Sequence, residues 1–180
     1  LDSIPEKIKE AEPYAILKIK LGTKNDKEII DTVRDCTEKP VRVDANEGWD
    51  LQTALEMCEW LAEKNIEFVE QPLPADQLDK TAILRSSSPI PIFADENCMT
   101  SQDIPTIAHA FHGINIKLMK CGCLLEAKRM IETARKHDLQ IMLGCMVESS
   151  AGITAAAHLS PLVDYADLDG NLLIDNDPYT

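Results

Sequence analysis

The chain has 180 residues, of which 44% are hydrophobic and 27% charged, so it can bury a sizeable core. Its 31 acidic and 18 basic residues give a net charge of −13, and no basic stripe is present. This balance argues against a partner that is nucleic acid or an anionic membrane. No apolar run approaches the roughly 20 residues that span a bilayer, so the sequence predicts a soluble protein.

Cysteine usage indicates the redox compartment. The six cysteines are scattered through predicted helices and strands rather than through a short, loop-rich scaffold: Cys36, Cys58, Cys98, Cys121, Cys123 and Cys145. Reduced thiols in a cytoplasmic protein are therefore expected. The pair in Cys121-Gly122-Cys123 has no second Cys or His pair nearby, so local packing is favoured over zinc binding.

The chain opens on a helix signal and then alternates between two patterns. Ser3 is the predicted N-cap of the first helix, with Glu6 at the capping-box position. Apolar runs without polar alternation, typical of strands buried on both faces, end at Leu21, Ala45, Val69, Ala94, Leu118, Leu143 and Leu168. Stretches of helical period cover Lys27 to Glu38, Asp50 to Lys64, Gln77 to Ser86, Ser101 to Ala110, Leu124 to His137 and Ala151 to Leu159. The sequence predicts seven strands, six intervening helices and one preceding helix.

This βα repeat could form an open doubly wound sheet or a closed barrel. No Gly-rich phosphate loop follows the first strand, and charged residues end five successive strands, which favours a TIM-type barrel over residues 1–180. A barrel of this type has eight strands, and the helix before Ile16 has no strand ahead of it. The first strand is therefore expected upstream of Leu1, leaving a partial catalytic barrel domain with strands 2 to 8.

Five charged side chains end these runs at spacings of 22 to 26 residues: Lys20, Asp44, Glu70, Asp95 and Lys117. Because each repeat returns its strand to the same edge, the five should converge on one site. Three carboxylates brought together would repel one another unless a divalent cation lay between them, and hard oxygen ligands select Mg²⁺ or Mn²⁺. The alternative is three unrelated acids that cap loops.

The lysines are candidate bases on either side of this site. Lys18 and Lys20 are two apart on one strand, so they point to the same face. Lys117 lies on a strand four positions further round and would approach a bound substrate from the opposite face. One base on each face permits a proton to leave one side of a carbon and return from the other. For Lys117 alone, a snorkelling lysine is an equally good account.

Together, the Lys18-x-Lys20 strand, the ligands on the next three strands and Asn115-Ile116-Lys117 resemble the enolase superfamily, in its muconate-lactonising subgroup. The resemblance covers nearly the whole chain. It implies a (β/α)7β barrel whose first strand and N-terminal capping domain are missing here, and one Mg²⁺ per subunit, with Mn²⁺ as an alternative, on Asp44, Glu70 and Asp95. One departure is Cys123, which stands where the family usually has the second of two glycines and bears on the local turn.

The last two strands indicate the branch of the superfamily. Residues 141–148 contain no His base of the kind found in mandelate racemase or acid-sugar dehydratases. Asp167-Leu168-Asp169 on the eighth barrel strand resembles the dipeptide epimerases, in which this pair holds the substrate's α-ammonium. Two carboxylates on one face suit a cation. The alternative is that both acids cap loops.

The resemblance implies a Mg²⁺-dependent isomerase that performs a 1,1-proton transfer at the C-terminal residue of a dipeptide. It favours L-Ala-D/L-Glu from recycled cell-wall peptide as substrate, and a homo-oligomer as the assembly. Lys20 and Lys117 would be the bases, and Lys18 would add positive charge near the substrate carboxylate. The expected substrate-binding residues are Lys18, Cys145, Asp167 and Asp169.

Two other functions fit parts of the pattern. An o-succinylbenzoate synthase or cycloisomerase of the same subgroup would share the lysines and ligands but would not use Asp167 and Asp169. A non-catalytic metal-binding or assembly module would need only the carboxylates.

Overall fold

The computed structural model describes residue 1 and residues 3–179. Its seven strands follow one another in the sheet in chain order. Two compact units divide the chain, Leu1–Ile92 and Phe93–Thr180. Among the described residues, no helix combines the length and the apolar character that crossing a bilayer requires.

The first unit alternates helices and strands as the sequence predicts. Its elements are α1 (Ile4–Glu10), β1 (Leu17–Lys20), α2 (Asp26–Cys36), β2 (Val41–Asp44), α3 (Leu51–Ala62), β3 (Ile66–Glu70) and α4 (Leu78–Ser87). Ser3 is the N-cap residue of α1, as predicted, but the predicted capping box does not form. Ser3 has helical backbone angles (φ −86°, ψ −10°) and its side chain makes no capping hydrogen bond, whereas a side-chain cap needs an extended N-cap residue.

Strand pairing places the charged residues that end the strands of the first unit in one row. Strands β1, β2 and β3 are parallel, with Lys20 opposite Asp44 and Asp44 opposite Glu70. The core beneath this row is apolar, because Val43 and Phe68 are fully buried. Strands covered on both faces explain the apolar runs without polar alternation.

The second unit continues the repeat with two departures in its helices. Its elements are β4 (Ile92–Ala94, whose first residue belongs to the first unit), α5 (Ile104–Ile107), β5 (Gly113–Lys117), α6 (Leu118–Cys121), α7 (Leu124–Lys136), β6 (Gln140–Gly144), α8 (Ser150–Ala157), β7 (Tyr165–Ala166) and 3₁₀ turns at Ser160–Leu162 and Gly170–Leu173. Strands β4 to β7 pair in parallel.

Helix α5 is shorter than the predicted Ser101 to Ala110. The Asp103 carboxylate accepts hydrogen bonds from the backbone N–H groups of Met99 and Thr100 and from the Thr100 hydroxyl. These bonds hold the preceding residues in a turn that competes with the helix. Helix α6 is an addition to the predicted elements, because Leu118, the predicted end of the strand, begins one helical turn.

The last strand is also shorter than expected. It covers only Tyr165–Ala166 rather than reaching Leu168, and the Asp167 N–H extends the ladder by one bond to the Leu143 carbonyl. Asp169 already precedes a 3₁₀ turn, with φ −99° and ψ 1°. Asp167 and Asp169 therefore lie just beyond the last strand, rather than on it as the sequence predicts.

Candidate active site

Two lysines of β1 converge on the carboxylates of the first unit. Lys18 Nζ lies 3.2 Å from Asp44 Oδ2 and 2.8 Å from Glu70 Oε2. Lys20 Nζ lies 2.7 Å from the same Asp44 oxygen. Alternation along β1 sends both side chains to one face, so both reach Asp44. Residues two apart on one strand thus meet a single carboxylate, as their spacing predicts.

The two lysines differ in their access to solvent. The side chains of Asp44 and Glu70 are fully buried, that of Lys18 is 20% exposed, and that of Lys20 is 63% exposed. Lys18 is thus enclosed between two anions, which suits a fixed positive charge. Lys20 is the more accessible ammonium of the pair, which suits a group that exchanges a proton.

The loop after β2 contains a partner of Lys20 that the sequence reasoning missed. Asn46 Oδ1 accepts a hydrogen bond from Lys20 Nζ at 2.7 Å, and the Asn46 N–H donates to Asp44 Oδ1 at 3.0 Å. Asn46 and Glu47 both have left-handed backbones, with φ of +43° and +63°. Asn is one of the few residues that adopt this conformation readily. The sequence signal that could have indicated this role is an Asn two positions after the strand-end Asp44.

Glu47, the next residue, fixes this loop to the segment after β3. The Glu47 N–H donates to the Gln71 carbonyl at 2.8 Å. The Glu47 carboxylate accepts a hydrogen bond from the Ala75 N–H at 2.6 Å. The strained backbone is therefore held from both sides, which keeps Asn46 in place beside Lys20.

In the second unit, two buried lysines bind one carboxylate. Lys117 Nζ lies 2.5 Å from Asp95 Oδ2, and Lys120 Nζ lies 2.5 Å from Asp95 Oδ1. Burial acts to raise the pKa of Asp95, but Lys120 and Lys117 outweigh it and lower that pKa to about 2. Asp95 is thus held as a carboxylate at neutral pH.

The sequence reasoning singled out Lys117 and missed Lys120. Residues three apart on a helical turn face the same way, and α6 begins directly after Lys117. Gly122 ends this turn with φ +85°, whereas Cys123 is extended with φ −163°. Only the first position of the family's usual glycine pair therefore requires a left-handed backbone, and Cys123 fits the second without strain.

Three strand-end carboxylates could hold a metal ion. Asp44, Glu70 and Asp95 each offer one carboxylate oxygen, and these three atoms all lie within 4.8 Å of one another. All three residues are buried. A set of hard, anionic oxygen donors in a buried place fits a divalent cation such as Mg²⁺.

The substrate-binding residues expected in the second unit meet around Cys145. Its Sγ lies 3.9 Å from Asp169 Oδ1. Burial raises the pKa of the Cys145 thiol; the Gly170 N–H lowers it, and Asp167, Asp169 and Glu148 raise it. Asp167 is half-buried and Asp169 exposed. The two aspartates therefore share a neighbourhood despite leaving the extended strand, and Glu148 is an acid that the sequence reasoning missed.

The remaining cysteines carry no sign of a redox or zinc centre in the described part of the chain. All six thiols are free. Burial raises the pKa of Cys58 to about 11 and that of Cys98 to about 12. The Cys121 thiol donates to the Cys123 carbonyl at 3.6 Å, which agrees with the predicted local packing role.

Comparison with known proteins identifies the family. A model described as "Enolase C-terminal domain-like" matches residues 4–172. The chain is 51% identical over 180 residues to an L-Ala-D/L-Glu epimerase from Bacteroides thetaiotaomicron, covering 99% of this chain and 47% of that protein. It is 48% identical to an L-Ala-D/L-amino acid epimerase from Pedosphaera parvula, covering 99% and 52%.

A solved relative supports the fold. The structure of a dipeptide epimerase from Enterococcus faecalis V583, complexed with Mg and the dipeptide L-Leu-L-Tyr, matches with a TM-score of 0.91 at 33% identity, over 99% of this chain and 53% of that one. The parallel strands and intervening helices match the barrel portion of such structures, which confirms the predicted fold class. The chain spans about half the length of the curated relatives it matches.

Proposed function

Because this chain belongs to the enolase C-terminal domain-like family, we propose that it provides the catalytic residues of a Mg²⁺-dependent dipeptide epimerase. The observation that carries the proposal is the group of three buried carboxylates, Asp44, Glu70 and Asp95, whose oxygens lie within 4.8 Å of one another. Lysines contact this group from β1 and from β5. A non-catalytic metal module would have no use for these lysines.

The three carboxylates would hold Mg²⁺, the ion that accompanies the dipeptide in the Enterococcus faecalis relative. When bound there, the ion would supply Lewis-acid stabilisation of the negative charge that develops as the substrate loses its α-proton. Lys18, which contacts both Asp44 and Glu70, would add a fixed positive charge for the substrate carboxylate.

Lys20 and Lys117 would carry out the proton transfer itself. One of them, as a neutral amine, takes the α-proton and leaves the bonding electrons on the substrate. The other, as an ammonium, donates a proton to the same carbon from the opposite face and becomes neutral. The configuration at that carbon is thereby inverted, and the two lysines exchange roles in the reverse reaction.

The acids around Cys145 would recognise the other end of the substrate. Asp167 and Asp169 would bind the α-ammonium of the N-terminal residue, since carboxylates pair strongly with a cation in a partly desolvated place. Cys145, which lies against Asp169, would form part of the surface beside it. The names of the relatives favour dipeptides that begin with L-Ala, and L-Ala-D/L-Glu from cell-wall peptide is our first candidate. We also propose a cytoplasmic location, which the six free cysteines support, and a homo-oligomeric assembly, which the resemblance to the superfamily implies.

Isotope exchange tests this proposal. The full-length protein that carries this chain is incubated with Mg²⁺ and L-Ala-L-Glu in D₂O, and the α-proton of the C-terminal residue is followed by ¹H NMR. We expect its signal to disappear as the L-Ala-D-Glu epimer appears, and chelation of Mg²⁺ to stop both changes. A panel of L-Ala-L-Xaa dipeptides defines the substrate class. Absence of exchange in the whole panel would favour the synthase or cycloisomerase alternative.

A further inference from the structure

Lys120 is a buried cation whose contacts all lie in the second unit. Its side chain is 4% exposed, and its Nζ donates to Asp95 Oδ1 at 2.5 Å, to the Asp95 carbonyl at 2.7 Å and to the Asn115 carbonyl at 2.9 Å. An ammonium group has three protons to donate, and these three acceptors use all of them. Because a buried charge that loses a partner is costly, the Lys120 ammonium is held in one place.

These bonds define the orientation of the Asp95 carboxylate. Oδ1 is bound to Lys120, and Oδ2 is bound to Lys117. Rotation of the carboxylate about its Cβ–Cγ bond would break both contacts. The bond from Lys120 to the Asn115 carbonyl anchors this arrangement to β5, the strand that carries Lys117.

We propose that Lys120 is a positioning residue for the reaction, which fixes the direction in which the Asp95 carboxylate meets the metal ion and Lys117. The inference rests on the proposed function, since it takes Asp95 as a Mg²⁺ ligand. Lys120 touches neither substrate nor reacting proton in this role, because its three donors already have acceptors.

A purely electrostatic role and an orienting role for Lys120 predict opposite changes in Mg²⁺ affinity when Lys120 is replaced. If Lys120 acts only through its charge, its removal takes a cation away from a metal ligand, and Mg²⁺ binds more tightly. If Lys120 acts by orienting the ligand, its removal lets the carboxylate turn, and Mg²⁺ binds more weakly. Loss of a residue that orients a metal ligand typically costs about 10- to 100-fold in affinity. The direction of the change in Kd therefore separates the two roles.

The experiment is calorimetric titration of Mg²⁺ into the full-length protein without substrate, for the wild type and Lys120→Met. Lys39→Met is the matched control. Lys39 is also largely enclosed, with a side chain 23% exposed, and its Nζ donates to the Glu12 carbonyl at 2.6 Å. Circular dichroism establishes that each variant is folded at the temperature of the titration. If Lys120→Met does not fold, Lys120→Gln, which is shorter and neutral, takes the same test.

We expect the Mg²⁺ Kd to rise about 10- to 100-fold in the Lys120 variant and to stay unchanged in Lys39→Met, even if both melt at lower temperature. We also expect kcat at limiting Mg²⁺ to fall and to recover partly when Mg²⁺ is raised. A Kd that is unchanged or lower in the folded Lys120 variant overturns the inference alone. A wild type that binds no Mg²⁺ overturns the proposed function, and the inference with it.

Discussion

The side-chain oxygen of Asn46 accepts a hydrogen bond from Lys20 Nζ at 2.7 Å. The same residue donates its N–H to Asp44, so one loop residue contacts both a proposed base and a proposed metal ligand. Its backbone is left-handed, which places the amide beside the end of β1. The position of Lys20 is therefore set by the loop after β2 as well as by its own strand.

Two substitutions at Asn46 should separate its side chain from its backbone. Asn46→Gly removes the acceptor for Lys20 but tolerates φ +43°, whereas Asn46→Ala removes the acceptor and adds strain. We expect both to lower kcat by a similar factor, and Asn46→Ala to be less stable than Asn46→Gly by about 1 kcal/mol. Steady-state kinetics and urea unfolding measure the two effects. Equal stability of the two variants would show that the backbone strain is relieved elsewhere.

Removing a carboxylate charge from the metal group should abolish turnover. Asp44→Asn, Glu70→Gln and Asp95→Asn each replace an anionic oxygen with a neutral amide, which Mg²⁺ binds less well. Calorimetric titration should show weaker Mg²⁺ binding in all three. Glu96→Gln is the control, because Glu96 is adjacent to Asp95 but is not among the three grouped carboxylates. Full activity in any ligand variant would mean that this residue does not bind the ion.

Replacing each of the two proposed bases should stop α-proton exchange from a different epimer of the substrate. Lys20→Ala should stop α-proton exchange in D₂O from one epimer of the dipeptide while the other still exchanges, and Lys117→Ala should show the mirror pattern. Lys18→Ala should impair both directions, since its proposed role is electrostatic. ¹H NMR of the separate L,L and L,D dipeptides measures each rate. Loss of exchange from both epimers in both base variants would remove the support for two-sided proton transfer.

An N-acetylated dipeptide tests the acids around Cys145. Asp167→Asn should raise KM for the free dipeptide more than Asp169→Asn, because Asp167 is half-buried and Asp169 exposed. A desolvated charge pair that loses one partner costs about 2–5 kcal/mol, whereas an exposed pair contributes about 0–1 kcal/mol. The acetylated substrate carries no ammonium, so it should be poor for the wild type and lose little more in the variants. If it turned over as well as the free dipeptide, the aspartates would not be an ammonium site.

Periodicity predicted the strands and the faces of their residues because both depend on local alternation. Lys18 and Lys20 reach one carboxylate since they are two apart on β1, and the row of Lys20, Asp44 and Glu70 follows from parallel pairing in register. Constant spacing of strand ends was enough to select the three carboxylates.

Periodicity and strand spacing could not predict the contacts that loops make. The position of Asn46 depends on two successive left-handed residues, and the neighbouring Glu47 bonds to Gln71 and Ala75, which are distant from it in sequence. No repeating pattern predicts such contacts, and none marks the early end of β7 at Ala166. Lys120 was missed because a four-residue helix is too short to show a period.

The single turn of α6 also restricts which insertions, deletions and substitutions this segment can accept. Successive residues of an α-helix are rotated by about 100°, so one residue inserted between Lys117 and Lys120 would swing the Lys120 side chain away from Asp95. Position 119 between them can vary more freely in identity, since Met119 is 63% exposed. The number of residues between the two lysines is therefore constrained more tightly than their chemistry, and a deletion or insertion there should be more harmful than any substitution at position 119.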